Sequence, residues 1–338
     1  MWCAMKAPSN NKRRRSSILI IALWSICLLT TFAVILGSEV RQKLVLVKRL
    51  DDRDNSRLIA EAGVKAATAE LASEEEVKYD CLNQKWSNNP DVFKDVMVGN
   101  GKFSVSSETD FGDIRFGLVD EESKININHA SIQQMARLFN LLGLEDLESQ
   151  DLAESIVDWR DLDSALSGPG GAEDAYYRTV PVPYEAKNAL FQTIDELLLV
   201  KGVNENNFPK IRKYITIYGN GAVNVNTAGK FVLMALGLSE NVAERIIAYR
   251  NGKDNLVATS DDNFFESVSD LATKINEAGN LSQAEQAQIN NVISEGSITT
   301  KSVNFMVRSS ATLGKSKFSH EVIAVINRKG RIFYWNES

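Results

Sequence analysis

The chain has 338 residues, with 38 Lys and Arg against 44 Asp and Glu, a net charge of −6. Five bases and no acid fall in the first sixteen residues, leaving −11 on the remainder, a sign that argues against a nucleic-acid surface. Three cysteines (Cys3, Cys27, Cys81) and two distant histidines (His129, His320) give little material for a disulfide framework, a zinc site or a Ser-His-Asp triad.

Residues 12–38 read KRRRSSILIIALWSICLLTTFAVILGS. Ser17–Leu36 is a run of twenty uncharged residues, enough to cross a hydrocarbon core of about 30 Å as a helix. Lys12, Arg13, Arg14 and Arg15 precede it. Positive charge stays cytoplasmic, so the C-terminal side is expected to face outward. A cleaved signal peptide needs a small-x-small site, which Ile35-Leu36-Gly37 satisfies poorly. A lipoprotein site at Cys27 is opposed by the bulky Ile26 before it. A retained single-pass anchor is therefore expected.

No proline occurs between Pro8 and Pro90. The pattern predicts one helix from about Ser17 to Lys78, on the order of 90 Å long. Its second part is amphipathic, with Val40, Leu44, Val47 and Leu50 and then Leu58, Ala62, Ala66 and Ala69 recurring on one face. Two short strands follow, Lys102–Ser107 and Asp113–Val119, around a turn at Thr109-Asp110-Phe111-Gly112. Three more, Ser302–Ala311, Lys317–Asn327 and Arg331–Trp335, alternate apolar and polar, with turns at Leu313-Gly314 and Lys329-Gly330. The segment between the two groups reads mostly helical. The expected architecture is α+β: a long N-terminal helix on an antiparallel sheet, with a large helical domain inserted.

The insert repeats itself. KININHA at 124–130 precedes LLGL at 141–144 and AESIVDWR at 153–160; AVNVNTA at 222–228 precedes ALGL at 235–238 and AERIIAYR at 243–250. A partial third unit is Ile194–Val203 with Phe208–Tyr214. Each reads as helix, glycine turn, helix, and resembles a helix-hairpin-helix unit. Such units often bind DNA by offering turn N–H groups to a phosphate. Here Gly143-Leu-Glu-Asp146, Gly237-Leu-Ser-Glu240 and Gly202-Val-Asn-Glu205 lack a second glycine and carry an acid there. A structural or protein-binding role is expected, and DNA binding is not. His129 occupies the repeat position of Thr227, which fits a turn or cap. Trp86, Trp159 and Trp335 fit the core or an interface.

A second constellation is Asp158-Trp-Arg-Asp161-Leu-Asp163, then Gly170-Gly-Ala-Glu173-Asp174. Five carboxylates on a Gly- and Pro-containing loop suit calcium, a hard cation that takes six to eight oxygens. The same residues also suit a solvated acidic loop capping the next helix. A carboxylate pair for glycoside hydrolysis is not singled out in so acidic a chain, and no catalytic set stands out.

Taken in order, these features resemble one family: the K-type minor pseudopilins of the bacterial type II secretion system. The resemblance rests on the basic-then-apolar start leading to RLIAEAG at 57–63, VDEESKININ at 119–128, DWRDLD at 158–163, GAEDAYY at 171–177, Tyr184, Asn188, DELLLV at 195–200, AVNVNTA at 222–228 and a last strand ending in Trp335. It implies a pilin-like fold divided as a basic leader (1–16), a transmembrane part of helix 1 (17–37), a first pilin-like part (38–123), an inserted helical domain (124–299) and C-terminal strands (300–338).

The resemblance also implies a non-enzymatic, single-pass inner-membrane protein with its C-terminal domain in the periplasm. It would sit at the tip of a pseudopilus with I-type and J-type minor pseudopilins, and meet the major pseudopilin and the inner-membrane assembly platform. No small-molecule substrate is implied; the alternative is a related pilin-like or DNA-uptake protein. The family's calcium ligands map onto Asp158, Asp161, Asp163, Glu173 and Asp174. The prepilin-peptidase junction maps to Ser16/Ser17, with serine where the family has glycine or alanine. Position five after it is Ile21, where major pilins carry glutamate. A carboxylate in a bilayer is costly unless paired. A tip subunit has no neighbour above to pair it, so Ile21 suits the tip.

Overall fold

The computed structural model describes residues 11–73, 78–109, 112–259, 261–314 and 319–338, with residues 11–17 and 278 described by backbone alone. In chain order the elements are α1 (Asn11–Ser73), α2 (Pro90–Phe93), β1 (Val96–Val98), β2 (Gly101–Val105), β3 (Ser107–Glu108), β4 (Ile114–Arg115), β5 (Val119–Asp120), β6 (Ile125–Asn126), α3 (Ile132–Leu141), α4 (Asp146–Arg160), α5 (Asp174–Tyr177), α6 (Phe208–Arg212), β7 (Ile215–Thr216), β8 (Val223–Asn224), α7 (Lys230–Ala235), α8 (Glu240–Arg250), α9 (Asp270–Ala278), α10 (Gln283–Ser294), β9 (Ile298–Thr299), β10 (Asn304–Leu313), β11 (Ser319–Asn327) and β12 (Ile332–Glu337). Short 3-10 turns lie at Glu121–Ser123 and Ile194–Leu199.

The chain divides into two compact units, Met1–Ser56 and Arg57–Ser338. The division falls inside α1, at none of the boundaries expected from sequence. In the first unit α1 carries the apolar run. Among the described residues it is the one helix long and apolar enough to cross a membrane, with a mean hydropathy of 2.7 over its best window. Leucine, isoleucine and valine side chains from Ile18 to Leu50 are exposed all round it, as a lipid-facing helix requires. Ser16 and Ser17 lie in its first turns and Ile21 within its apolar part.

In the second unit, α1 continues to Ser73 and packs on an antiparallel sheet of order β1-β2-β10-β11-β12, with β5 also paired to β10. The helix was expected to reach Lys78; that residue lies in a bend, and 74–77 are outside the described residues. The buried face of α1 is Ile59, Ala60, Gly63, Val64, Ala67 and Leu71. This differs by about one position from the expected face: Leu58 is 54% exposed and Ala69 is exposed. A small-residue stripe won over the leucine because the helix lies very close to the sheet. A β-carbon at Gly63 would overlap Ser309 Oγ and stand 2.9 Å from the Phe103 ring.

The strands differ from expectation mainly at their ends. The segment expected as Lys102–Ser107 is split at Ser106 into β2 and β3: the Ser106 N–H still donates to the Arg308 carbonyl of β10 (3.1 Å), and from Ser107 the chain pairs with β4 instead. Asp113–Val119 holds only the short β4 and the start of β5, with the turn residues Asp110 and Phe111 outside the described residues. The three C-terminal strands are Asn304–Leu313, Ser319–Asn327 and Ile332–Glu337; Lys317 is outside the described residues. Strand β1 was not anticipated. Its three residues are too few to display a two-residue alternation.

Buried apolar side chains of this unit form two clusters. One joins α1, Trp86, Phe93, Phe103, Leu118 and the inner faces of β10 and β11. The other is drawn wholly from residues 125–298, between the two groups of sheet strands. Three of its helices begin at side-chain caps: Ser131 with Gln134 opens α3, Ser239 opens α8, and Ser282 with Glu285 opens α10.

The sequence repeat is also a structural repeat. In the first copy β6 pairs in parallel with β7, Ile125 opposite Ile215; in the second β8 pairs in parallel with β9, Val223 opposite Ile298. Asn128 clamps the backbone of Phe191, accepting from its N–H (2.8 Å) and donating to its carbonyl (3.0 Å). Asn226 does the same to Phe265, at 2.8 and 2.9 Å. Arg160 donates to the carbonyls of Ile127 and Ala130; Arg250 donates to those of Val225 (2.9 Å) and Ala228 (2.7 Å). The turns use Gly143 at φ +95° and Gly237 at φ +105°, a conformation that glycine reaches without strain. The partial third unit is only the 3-10 turn Ile194–Leu199 and the five-residue α6.

Candidate metal centre

Helix α4 ends at Arg160, and the chain then folds back along it. Asp151, Glu154, Ser155 and Asp158 share one face of α4 by their three- and four-residue spacing. The returning loop lies directly on that face. Glu154 Oε2 accepts from the Gly170 N–H (2.8 Å), and Ser155 Oγ donates to the Gly170 carbonyl (3.1 Å). Asp158 accepts at Oδ1 from the Ser167 N–H and at Oδ2 from the Ala172 N–H, both 2.7 Å. Side chains at Gly168, Gly170 and Gly171 would overlap Glu154, Asp151 and Asp158 respectively. The glycines are there because the backbone must touch the acidic face. Lys201 Nζ donates to the Gly170 carbonyl (2.8 Å) and stands 5.4 Å over the Tyr176 ring.

This packing turns Asp161, Asp163 and Glu173 toward one another. Each offers a carboxylate oxygen, and the three oxygens lie within 4.8 Å of one another. Asp163 also accepts from the Ala165 N–H (2.8 Å). Both oxygens of Glu173, and Oδ1 of Asp161, are buried without a hydrogen-bond partner. Burial, and then the charges of Asp158, Asp161, Asp174 and Asp163, push Glu173 up to about 7. Burial and the charges of Asp163 and Asp158 raise Asp161. Buried acceptors with no donor and mutual repulsion are costly unless a cation completes them. The donor set, all carboxylate oxygen, fits a hard divalent cation such as calcium.

The five residues singled out from sequence therefore part into two roles. Asp161, Asp163 and Glu173 converge. Asp158 is fully buried and spends both oxygens on loop N–H groups, so its task is to hold the loop. Asp174 opens α5, accepts from the Ala186 N–H (2.9 Å) and pairs with Arg178 at 3.0 Å. Aromatic packing fixes the far side of the loop: Trp159 meets Tyr177 edge-on at 5.2 Å, and Tyr177 stacks on Tyr184 at 5.2 Å.

Sequence reading missed a second group, Asp254, Asp261 and Asp262, whose oxygens also lie within 4.8 Å of one another. These acids are exposed or half-buried and largely satisfied locally. Asp261 accepts from Thr259 Oγ1 (2.8 Å) and the Lys253 N–H (2.7 Å), and Asp262 from the Ala258 N–H (2.8 Å). One signal could have found them. They follow Arg250 in the second copy as Asp161 and Asp163 follow Arg160 in the first.

At the first two full hairpin turns the acids are engaged locally. Asp146 is bonded by Asn140, and Glu240 pairs with Lys230 at 2.7 Å.

Residues 115–220, which include the acidic loop, match the family model described as Type II secretion system (T2SS), protein K. The type II secretion system protein K of Aeromonas hydrophila is 30% identical over 166 residues, covering 43% of this chain and 46% of that relative. The protein K of Pectobacterium carotovorum subsp. carotovorum is 31% identical over 127 residues, covering 36% and 38%. The match thus spans less than half the length of either relative. The crystal structure of the GspK-GspI-GspJ complex from the enterotoxigenic Escherichia coli type 2 secretion system contains a chain of similar fold. The TM-score is 0.68 at 17% identity, covering 86% of this chain and 99% of that chain. The chain is therefore similar in sequence to type II secretion system K proteins over part of its length, residues 115–220 matching their family model, and similar in fold to a chain of that complex.

Proposed function

We propose that the protein is a minor pseudopilin placed at the tip of a type II secretion pseudopilus, where it helps initiate assembly and the export of folded proteins through the outer-membrane secretin. The observation that carries this reading is the joint match: protein K sequence at 115–220, within a fold that covers 99% of a chain from a GspK-GspI-GspJ complex. Its partners would then be I-type and J-type minor pseudopilins, followed by the major pseudopilin and the assembly platform. The apolar run of α1 suits a single-pass inner-membrane protein, with the bases before that run inside and the second unit in the periplasm. Ile21 supports the tip position, since it leaves no carboxylate in the membrane to be paired by a subunit above. The role is structural rather than catalytic.

Calcium belongs to the same reading. Asp161, Asp163 and Glu173 would hold it, and its charge would relieve their repulsion and fix the loop that Asp158 and Lys201 already position. The acids at the hairpin turns do not favour the DNA-uptake alternative.

The test is co-purification of the tagged full-length chain from detergent-solubilised membranes of a strain expressing the host's pilin-like proteins. A stable complex with two other minor pseudopilins, and a mature chain beginning at Ser17 by mass spectrometry, are expected. Failure to capture either pilin-like partner, with salt-dependent binding of duplex DNA instead, would overturn the proposal.

A further inference from the structure

Where the sheet meets the helical part, three carboxyl groups are buried together: Asp80, Asp120 and Glu122 are 0%, 2% and 5% exposed. Asp120 Oδ2 accepts from Ser302 Oγ (2.6 Å), Thr227 Oγ1 (2.5 Å) and Asn224 Nδ2 (3.2 Å), and its Oδ1 from the Glu122 N–H (2.8 Å). Glu122 Oε2 accepts from the N–H groups of Val303 (3.2 Å) and Asn304 (3.0 Å), and its Oε1 from Asn304 Nδ2 (2.7 Å). Asp80 accepts from the Ser302 N–H (2.7 Å) and pairs with Arg328. Asn224 and Thr227 belong to the second helical repeat, whereas Val303 and Asn304 lead into β10. The acids are thus the joint between the two hydrophobic clusters.

Charge does not balance at this joint. Arg328, the buried cation that faces it, is already paired with Asp80. Lys301 acts on Asp80 from an exposed position. Glu121, beside the pair, is taken by Lys124 (2.5 Å) and Thr216 Oγ1 (2.6 Å), with Tyr218 near it. Among the described residues, Asp120 and Glu122 form no ion pair. The Asp120 carboxyl accepts from the Glu122 N–H, and both carboxyls bind the segment Ser302–Asn304, so their charges lie together in one water-poor network.

We propose that the joint is a proton-operated lock: Asp120 and Glu122 share one proton, and losing it in alkaline solution loosens the helical part from the sheet. Without that proton two like charges face each other in a water-poor site, where repulsion is strong. Burial, and then the charge of Glu122, hold Asp120 well above the usual carboxylate range; burial raises Glu122 too. Because the folded values are raised, the stabilisation is complete below the unfolded carboxylate value and is lost as pH rises through the folded values.

The experiment uses the full-length chain in detergent micelles, with Glu173→Gln in every arm so that the acidic loop does not titrate. Amide hydrogen exchange of segments 222–228 and 298–304 is followed from pH 6 to pH 9, corrected for the intrinsic pH dependence of exchange. Protection there should fall with pH, by at most about tenfold per unit, up to the folded value and level off above it, while β11 keeps its own. Adding Glu122→Gln, which removes the second charge and keeps the shape, should flatten the profile. A flat profile in the parent, or the same slope with Glu122→Gln, overturns the proposal. Should Glu122→Gln not fold, the infrared spectrum of the parent at pH 7 decides. A protonated-carboxyl band that disappears at pH 9 supports the shared proton, and its absence at pH 7 refutes it.

Discussion

Replacing Asn226 by alanine tests the structural repeat at a buried clamp. Asn226 is 2% exposed and Phe265 is fully buried. The side chain satisfies both backbone groups of Phe265, the N–H at 2.8 Å and the carbonyl at 2.9 Å. Alanine leaves one donor and one acceptor buried without partners. At about 1–3 kcal/mol for each such group, the loss should be about 2–5 kcal/mol, a little offset because a buried amide is removed too. Asn226→Asp should be no better, since it keeps the acceptor but turns a second oxygen toward the Phe265 carbonyl. The equivalent Asn128→Ala should cost less, because Asn128 is only half-buried and water can reach the vacated groups of Phe191. The assay is chemical denaturation of the full-length chain in micelles, with calcium fixed. A loss below about 1 kcal/mol at Asn226, or a larger loss at Asn128 than at Asn226, would refute the claim that these clamps carry the two copies.

Two further outcomes are expected. Gly63→Ala should destabilise the protein although alanine is the better helix former by about 1 kcal/mol, because its methyl would overlap Ser309 Oγ and overpacking costs about 1–3 kcal/mol. Adding Ser309→Gly should restore most of the loss in a double-mutant cycle. For the metal centre, chelation should lower the melting temperature, and Asp161→Ala with Asp163→Ala should abolish the response to calcium. Glu173, raised to about 7 in the cation-free protein, contributes stability that is complete below its unfolded value and lost as pH rises through about 7. Calcium should therefore stabilise more at pH 8 than at pH 6, with proton release on binding near pH 6. An unchanged melting temperature on chelation at pH 8 would remove the metal assignment.

Much of the fold was legible because its signals are local. The basic-then-apolar start, the alternation in β10 and β11, and the two Asn-x-Asn copies all show in the residue order. The acidic loop was legible as a cluster, yet not in its division of labour. Asp158 and Asp161 look alike in sequence; only the course of the loop over α4 turns one toward N–H groups and the other toward Glu173. The second acidic group was missed because Asp254 and the pair Asp261-Asp262 are joined by a loop that no local periodicity marks.

The long apolar helix at the N-terminal end and the duplication between residues 124 and 250 were determined by the sequence alone, because an uninterrupted apolar run and a repeated motif need no partner to be recognised. Which face of α1 meets the sheet was decided by tertiary structure, because the close approach at Gly63 outweighed the larger Leu58. So was the joint. Asp80, the pair Asp120 and Glu122, and Ser302 are far apart along the chain, and burial together is what makes one shared proton the least costly state for Asp120 and Glu122.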